Sequence, residues 1–323
     1  MPDSHDSAPM RITKPGVYEG LPEEVYHANC TPQPALSASF AACMLARHPA
    51  RAWYDSPLNP DFQLQTSNNF DIGKAAHLLF LEPECFDARV VLVKADDYRT
   101  NAAKEARDQA RLARKVPLLP HEAEMVAGMC RALRNETEGL PFSTAPRFAK
   151  QGFSGGKAET SYFWQSDGGI WMKARPDYIR PHVIIDYKTA AAADEVAIGR
   201  TSARMSWDIR SAVYLEGHKA LTDEEAEYFY VIQEKTAPYF VEVVKLDGES
   251  MEWGETQLRA AKALFRRCLS TGKWPANNEA AKIVGLPPWA QMRLQDRKDR
   301  GDFDTKGLLQ TAQRFQAPLD QEF

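Results

Sequence analysis

No apolar run in the chain exceeds a few residues, whereas a membrane span needs roughly 20, so a spanning helix is excluded. The five cysteines, Cys30, Cys43, Cys85, Cys130 and Cys268, are odd in number, widely spaced and without a CxxC pair. That pattern excludes a disulfide framework and a zinc knuckle and argues against a four-cysteine iron–sulfur clasp. It reads as reduced thiols in a cytoplasmic protein. The first residues, MPDSHDSAPMRITKPG, lack an apolar h-region, so no secretory leader is expected. Positive charge is not in excess: the formal net charge is −4. A surface basic all over is therefore excluded, while a local basic groove is not. Internal repeats are absent too. What is present is a chain of 323 residues, 44% hydrophobic and 26% charged. That is the balance of a soluble globular protein with a core, and its length fits one large decorated domain or two smaller ones.

Along the chain, residues 1–14 are polar and expected to be flexible. Residues 15–150 read as the mainly helical N-terminal part of one domain and 151–290 as its core, in which about 150–272 reads βββαββα, and 291–323, mixed in charge and rich in Gln, as a loosely held tail. A serine cap within Leu36-Ser37-Ala38-Ser39 starts a helix over Phe40–Trp53. Ser56–Asn69 is a loop, and a helix over Ile72–Leu81 ends before Pro83. Helices are also expected over Asn101–Lys115, His121–Glu138, Asp194–Leu221 with a break near Ser206, and Met251–Thr271. Strands are expected over Ala158–Trp164, Ile170–Arg175, Val183–Lys188, Glu227–Glu234 and Tyr239–Leu246, with Asp167-Gly168-Gly169 as a hairpin turn. Leu286-Pro287-Pro288-Trp289-Ala290 is expected to close the packed part.

The chemistry concentrates in two neighbouring stretches, Arg175-Pro176-Asp177 and Asp186-Tyr187-Lys188. Asp186 and Lys188, two apart in a strand, share a face, and a hairpin from the strand before it returns Asp177 to the same spot. Two converging carboxylates repel unless a cation stands between them, and hard oxygen ligands suit Mg²⁺ or Mn²⁺. A lysine beside such an ion orients water or steadies developing phosphate charge. An Asp-x-Lys in a strand is more often a solvated face. Here it follows the apolar run Val183-Ile184-Ile185, and a charge placed directly after a buried run needs a partner or a metal. Glu159, on the preceding strand, offers a further carboxylate. Taken alone, Glu159 reads as a surface residue, His77 (one turn beyond Gly73) as a core or surface histidine, and Arg210 with Tyr214 as an ordinary amphipathic helix face.

Taken together and in order, these residues resemble the PD-(D/E)xK nucleases of the RecB-like branch. More closely they resemble the RecE-like (exonuclease VIII C-terminal) nucleases of phages and prophages. Other stretches in that style are Gly16-Val17-Tyr18, Trp171 to Tyr178, Gln233-Glu234-Lys235 with Pro238-Tyr239, Gly272-Lys273-Trp274-Pro275, and Leu286 to Trp289. The resemblance covers about residues 15–290. It implies an α/β restriction-endonuclease-like core, a central mixed β-sheet flanked by helices with an N-terminal helical elaboration. The implied activity is a Mg²⁺-dependent exodeoxyribonuclease, with Mn²⁺ as substitute, that degrades linear double-stranded DNA from 5′ to 3′ and leaves single-stranded overhangs for recombination.

By the same resemblance Asp177, Asp186, Glu159, His77 and the backbone carbonyl of Tyr187 hold metal, and Lys188 serves the attacking water. A RecT-like single-strand annealing protein is the implied partner, and a homo-oligomeric ring, tetrameric in that group, the implied assembly. Arg210 departs from the group, which has Gln there; a guanidinium adds a phosphate contact. With Tyr214 it is a DNA-binding candidate. The stripe of Lys104, Arg107, Arg111 and Arg114 either tracks a DNA backbone or is a solvated helix face. Trp164, Trp171 and Trp207 either stack on unpaired bases or fill the core. The alternatives are a nuclease of the same fold acting on single-stranded or structured DNA ends, and a DNA-end-binding module with weak or no turnover.

Overall fold

The computed structural model describes residues 10–62, 68–134, 136, 140–276, 281 and 283–304, with the backbone alone for residues 68, 69 and 150. In chain order the strands are β1 (Gly16–Tyr18), β2 (Val90–Leu92), β3 (Val116–Leu118), β4 (Lys157–Ala158), β5 (Ser161–Ser166), β6 (Ile170–Ala174), β7 (Tyr178–Arg180), β8 (Val183–Ala190), β9 (Glu227–Glu234) and β10 (Val241–Val244). The helices are α1 (Glu23–His27), α2 (Ala38–Ala46), α3 (Pro49–Tyr54), α4 (Asn68–Leu81), α5 (Pro83–Arg89), α6 (Asn101–Leu112), α7 (Pro120–Leu133), α8 (Arg147–Gly152), α9 (Glu195–Met205), α10 (Trp207–Thr222), α11 (Gly248–Thr271) and α12 (Pro288–Asp299). Two compact units divide the chain, Met1–Ala276 and Asn277–Phe323. Among the described residues no helix is long and apolar enough to cross a membrane.

The first unit is built on a five-stranded mixed sheet in the order β10-β9-β8-β7-β4, in which β8 and β9 run parallel and the other pairs antiparallel. Because side chains alternate along a strand, β8 feeds two cores. Ile184 packs with Trp207, Val213 and Tyr230 on the α10 side. Ile185 and Tyr187 pack with Ile72, Ala76, Val126 and Met129 on the α4 and α7 side. A three-stranded sheet, β1-β5-β6, carries a third cluster around Phe163 and Trp171, into which Ile12 and Tyr26 pack. Trp164, Trp171 and Trp207 are all buried in these clusters, so they fill the core. All five cysteines are free thiols.

Local chemistry sets the element ends. Ser37 caps α2 by accepting the Phe40 N–H at 3.3 Å, Asp194 caps α9 by accepting that of Ala197 at 3.0 Å, and Asp247 caps α11 by accepting that of Ser250 at 2.7 Å. Between β5 and β6 the tight turn uses Gly168 and Gly169, both at positive φ. Ser206, also at positive φ, separates α9 from α10 at the expected break.

Several expectations need correction. The helix expected over Phe40–Trp53 is two, α2 and α3, because Pro49 fits the first turn of a new helix and cannot continue an old one. The strand expected over Ala158–Trp164 splits at Glu159 and Thr160. Glu159 has φ +47°, so the chain leaves the five-stranded sheet at β4 and enters the other at β5. Consequently β6 does not form the hairpin with β8. A short strand unseen in the sequence, β7, does so through Arg180–Val183. Residues 10–14 are not loose, since Ile12 is buried and donates its N–H to Cys30 O at 2.8 Å; residues 1–9 lie outside the described residues. The Leu286–Ala290 stretch falls in the second unit and leads into α12, started by Pro288, with Trp289 exposed. The expected tail is thus helical to Asp299, and residues 305–323 lie outside the described residues.

Candidate active site

Three carboxylates stand abreast on neighbouring strands. The β4–β7 register pairs Ala158 with Tyr178, and the next step sets Glu159 beside Asp177, whose carbonyl accepts the Glu159 N–H at 3.0 Å. The β7–β8 register pairs Tyr178 with Ile185, and the next step sets Asp177 opposite Asp186. Strands lie ~4.8 Å apart, so the row Glu159, Asp177, Asp186 concentrates negative charge that must be compensated.

Cations meet the row at both ends. Arg175 donates from Nε to Glu159 Oε2 at 2.8 Å. His77 Nδ1 lies 3.9 Å from Glu159 Oε1 and 3.9 Å from Asp177 Oδ2. Lys188 donates from Nζ to Asp186 Oδ1 and lies 3.4 Å from Asp177 Oδ2. Arg210 Nε lies 3.8 Å from Asp186 Oδ2. The backbone joins in: Tyr187 N–H donates to Asp177 Oδ2 at 2.7 Å.

Helix α4 delivers His77 against Tyr187, ring centroids 4.8 Å apart. One turn earlier Gly73 faces Thr189 of β8, where a Cβ would stand 3.4 Å from Thr189 Oγ1, an ordinary contact. Helix α10 delivers Arg210 from the other face of the sheet, because Asp186 shares the side of Ile184. Asp177 faces both groups from the middle of the row.

The electrostatics differ along the row. Burial pushes the Asp177 carboxyl up to about 7, with the Asp186 charge adding to it against the pull of Lys188. Burial acts on Asp186 as well, but Lys188 and Arg210 override it and hold that carboxyl well below the usual range. Glu159 is held low, burial being outweighed by His77 and Arg175. His77 is raised, because Asp177 and Glu159 outweigh its burial. Lys188 is raised by Asp177 and Asp186 despite burial, so it stays an ammonium.

Of the five metal-ligand candidates the fold brings three together. His77, Glu159 and Asp177 each offer a ligand atom within 4.8 Å of one another. Asp186 faces Lys188 and Arg210 instead, and the Tyr187 carbonyl accepts from Lys188 Nζ at 3.3 Å. Tyr214 OH donates to the Arg175 carbonyl at 3.2 Å and accepts from Arg210 at 3.3 Å, so the pair is anchored inside the fold. In the basic stripe, Arg111 pairs with Asp71 at 2.5 Å, Arg107 with Asp108 at 2.8 Å, and Arg114 with Glu24 at 3.6 Å, while Lys104 is exposed. Arg175, to which its motif assigned no role, orients Glu159. Its position two before Asp177 was the available signal.

The model of one protein family, the PDDEXK-like domain of unknown function (DUF3799), matches residues 49–286, well over half of the chain. The chain belongs to this family. Membership bears out the PD-(D/E)xK reading of the motifs and the mixed sheet flanked by helices. Among solved structures the chain is similar to the "Putative exonuclease" of Eubacterium rectale, with a TM-score of 0.53 and 12% identity, covering 78% of this chain and 90% of that one. That likeness is one of fold. A second solved structure, the protein SSO0001, aligns at 16% identity over 63% of this chain and 87% of that one, with a TM-score of 0.27 that carries no argument. No curated protein matches the chain.

Proposed function

We propose that this DUF3799 protein is a divalent-metal-dependent exodeoxyribonuclease acting at the ends of linear double-stranded DNA. The observation that carries this reading is the row Glu159, Asp177, Asp186 with His77 at one end and Lys188 at the other. A mixed nitrogen and oxygen set on a PD-(D/E)xK core fits Mg²⁺ or Mn²⁺. His77, Glu159 and Asp177 would hold the ion. Asp186 Oδ2, buried without a hydrogen-bond partner, is the further oxygen nearby. When bound, the ion acidifies a water and offsets phosphate charge.

The chain's own residues do the rest. Lys188, kept charged by two carboxylates, offers an ammonium to a phosphate oxygen and to the attacking water, and does not act as the base. Asp186 fixes the Lys188 ammonium in place. Arg175 fixes Glu159. The Tyr187 N–H holds the Asp177 carboxylate toward His77.

The resemblance to the RecE-like nucleases adds finer proposals: Mg²⁺ as the working ion, 5′-to-3′ polarity, overhangs handed to a RecT-like annealing protein in recombination, and a ring of subunits that keeps the enzyme on its duplex. Comparing linear duplex, closed circular duplex and single strand, each with Mg²⁺ and with EDTA, tests the reading. The expected result is Mg²⁺-dependent loss of linear duplex alone. Equal loss of the circle points to an endonuclease, and loss of the single strand alone to the alternative substrate.

A further inference from the structure

The chain carries no excess of positive charge, its formal net charge being −4, so holding a polyanion requires a local basic face. The arginines of α6 do not supply one: Arg107, Arg111 and Arg114 face Asp108, Asp71 and Glu24. Helix α9 does. It follows β8 and its Lys188 in the chain and ends at Ser206, from which α10 carries Arg210 to Asp186. It is thus tied to the carboxylate row at both ends. Its inner face, Ala197, Ile198, Thr201 and Ser202, is half-buried, and Ile198 packs on the core. Its outer face, Val196, Gly199, Arg200, Ala203 and Arg204, is exposed throughout and follows the three- and four-residue steps of one helical side. No residue of α9 is fully buried.

Two features of the outer face have no use within the fold. Arg200 and Arg204, one turn apart, form no ion pair or side-chain hydrogen bond among the described residues. A cation in the last turn favours a helix by itself, which accounts for Arg204 but not for Arg200 in mid-helix. Gly199 is the second feature. Glycine inside a helix is unfavourable against alanine, and close packing or a positive φ is the usual reason to keep one. A Cβ at Gly199 would meet nothing within 4 Å, and its φ is not positive. A body outside the chain that approaches this backbone does call for a small residue. Gly199 and Ala203 make a low strip beside the two arginine stems, and a guanidinium forks onto phosphate oxygens. We propose that the outer face of α9 is a DNA-backbone contact: Arg200 and Arg204 bind phosphates of the substrate DNA, and Gly199 and Ala203 give its backbone room to lie against the helix. The inference deepens the nuclease reading above and rests on it.

The test is binding of a labelled linear duplex across a salt series, with Ca²⁺, which accepts oxygen ligands in looser geometry, in place of Mg²⁺. Each phosphate contact contributes about 0.9 to the log–log salt slope. Arg200→Gln combined with Arg204→Gln is therefore expected to flatten the slope by about 1.8 and to weaken binding roughly 10- to 100-fold at about 0.1 M salt. If the double variant does not fold, each single change carries an expected loss of about 0.9. Arg200→Lys combined with Arg204→Lys keeps the charges and should keep the slope. Gly199→Leu adds a helix-favouring residue in open space, so its melting temperature should hold or rise, yet the bulk on the strip should weaken binding several-fold. A purely structural α9 predicts a firmer helix with unchanged affinity. A folded glutamine variant with the wild-type slope, or Gly199→Leu with wild-type affinity, would overturn the inference and leave the nuclease reading standing. A wild type that binds no duplex would overturn both.

Discussion

Lys188 has a carboxyl group on each side, Asp186 in contact and Asp177 at 3.4 Å, and both raise its affinity for its proton. Its proton is therefore held, and its use is electrostatic. Removing such a donor from a reacting centre costs roughly 10²–10³ in rate, so Lys188→Ala should lose on the order of that factor in single-turnover cleavage, and its unfolding midpoint should fall because the buried Asp186 carboxylate loses its partner. Undiminished cleavage would remove Lys188 from the site. Asp177 makes a second prediction. Its carboxyl is raised to about 7 by burial and by Asp186, against about 3.9 in an unfolded chain. The folded state therefore binds the extra proton, and the stability this contributes is full below about 3.9 and lost as pH rises through about 7. His77, also raised, acts in the same sense, whereas Asp186 and Glu159, both lowered, contribute stability that is lost as pH falls. Asp177→Asn isolates the first effect. In EDTA, its melting temperature relative to wild type should climb between pH 5 and pH 8. A difference that stays flat would show that Asp177 is not strained by its neighbours.

At the scale of elements, the site depends on where α10 sits. Helix α11 crosses α10 so closely at Gly254 that a Cβ there would fall 2.2 Å from the Asp208 carbonyl oxygen. That contact is backbone, so nothing flexible can yield. Gly254→Ala should destabilise the protein by about 1–3 kcal/mol, the usual cost of overpacking, and should displace the turn that carries Arg210. Urea unfolding checks the first effect, and an unchanged midpoint would contradict the close crossing. The long elements were legible because their signals are local. The Val183–Lys188 run, the Asp-Gly-Gly turn and the Ser206 break all appear where periodicity and turn chemistry put them. The short strand β7 was not legible. Its three residues carry no period, and its partner is chosen by Glu159 turning the chain at positive φ. The carboxylates converge as the motif spacing suggested, yet by a different hairpin. Two roles stayed hidden because they are long-range: Arg210 facing Asp186 from another element, and Arg111 facing Asp71 across 40 residues.

At the scale of the whole molecule, every residue of the three core clusters lies within residues 12–274, inside the first compact unit. The mainly helical part up to residue 150 and the strands that follow it share a core, because β4, β7 and β8 pack against α4 and α7. The packed unit also ends sooner than the expected limit of 290. A chain ending at Ala276 should keep the melting temperature of the full chain within a few degrees, and a large loss would show that the second unit contributes to the first. The central claim is that the row Glu159, Asp177, Asp186 with His77 and Lys188 hydrolyses DNA with a divalent ion. Its most direct test is a time course on linear duplex labelled at the 5′ or the 3′ end, with Mg²⁺ or EDTA, for wild type and Asp177→Ala. The account predicts that wild type with Mg²⁺ releases the 5′ label early while the 3′ label stays on a long strand, and that EDTA or Asp177→Ala abolishes release. Label released equally in EDTA, or by Asp177→Ala at the wild-type rate, would contradict it.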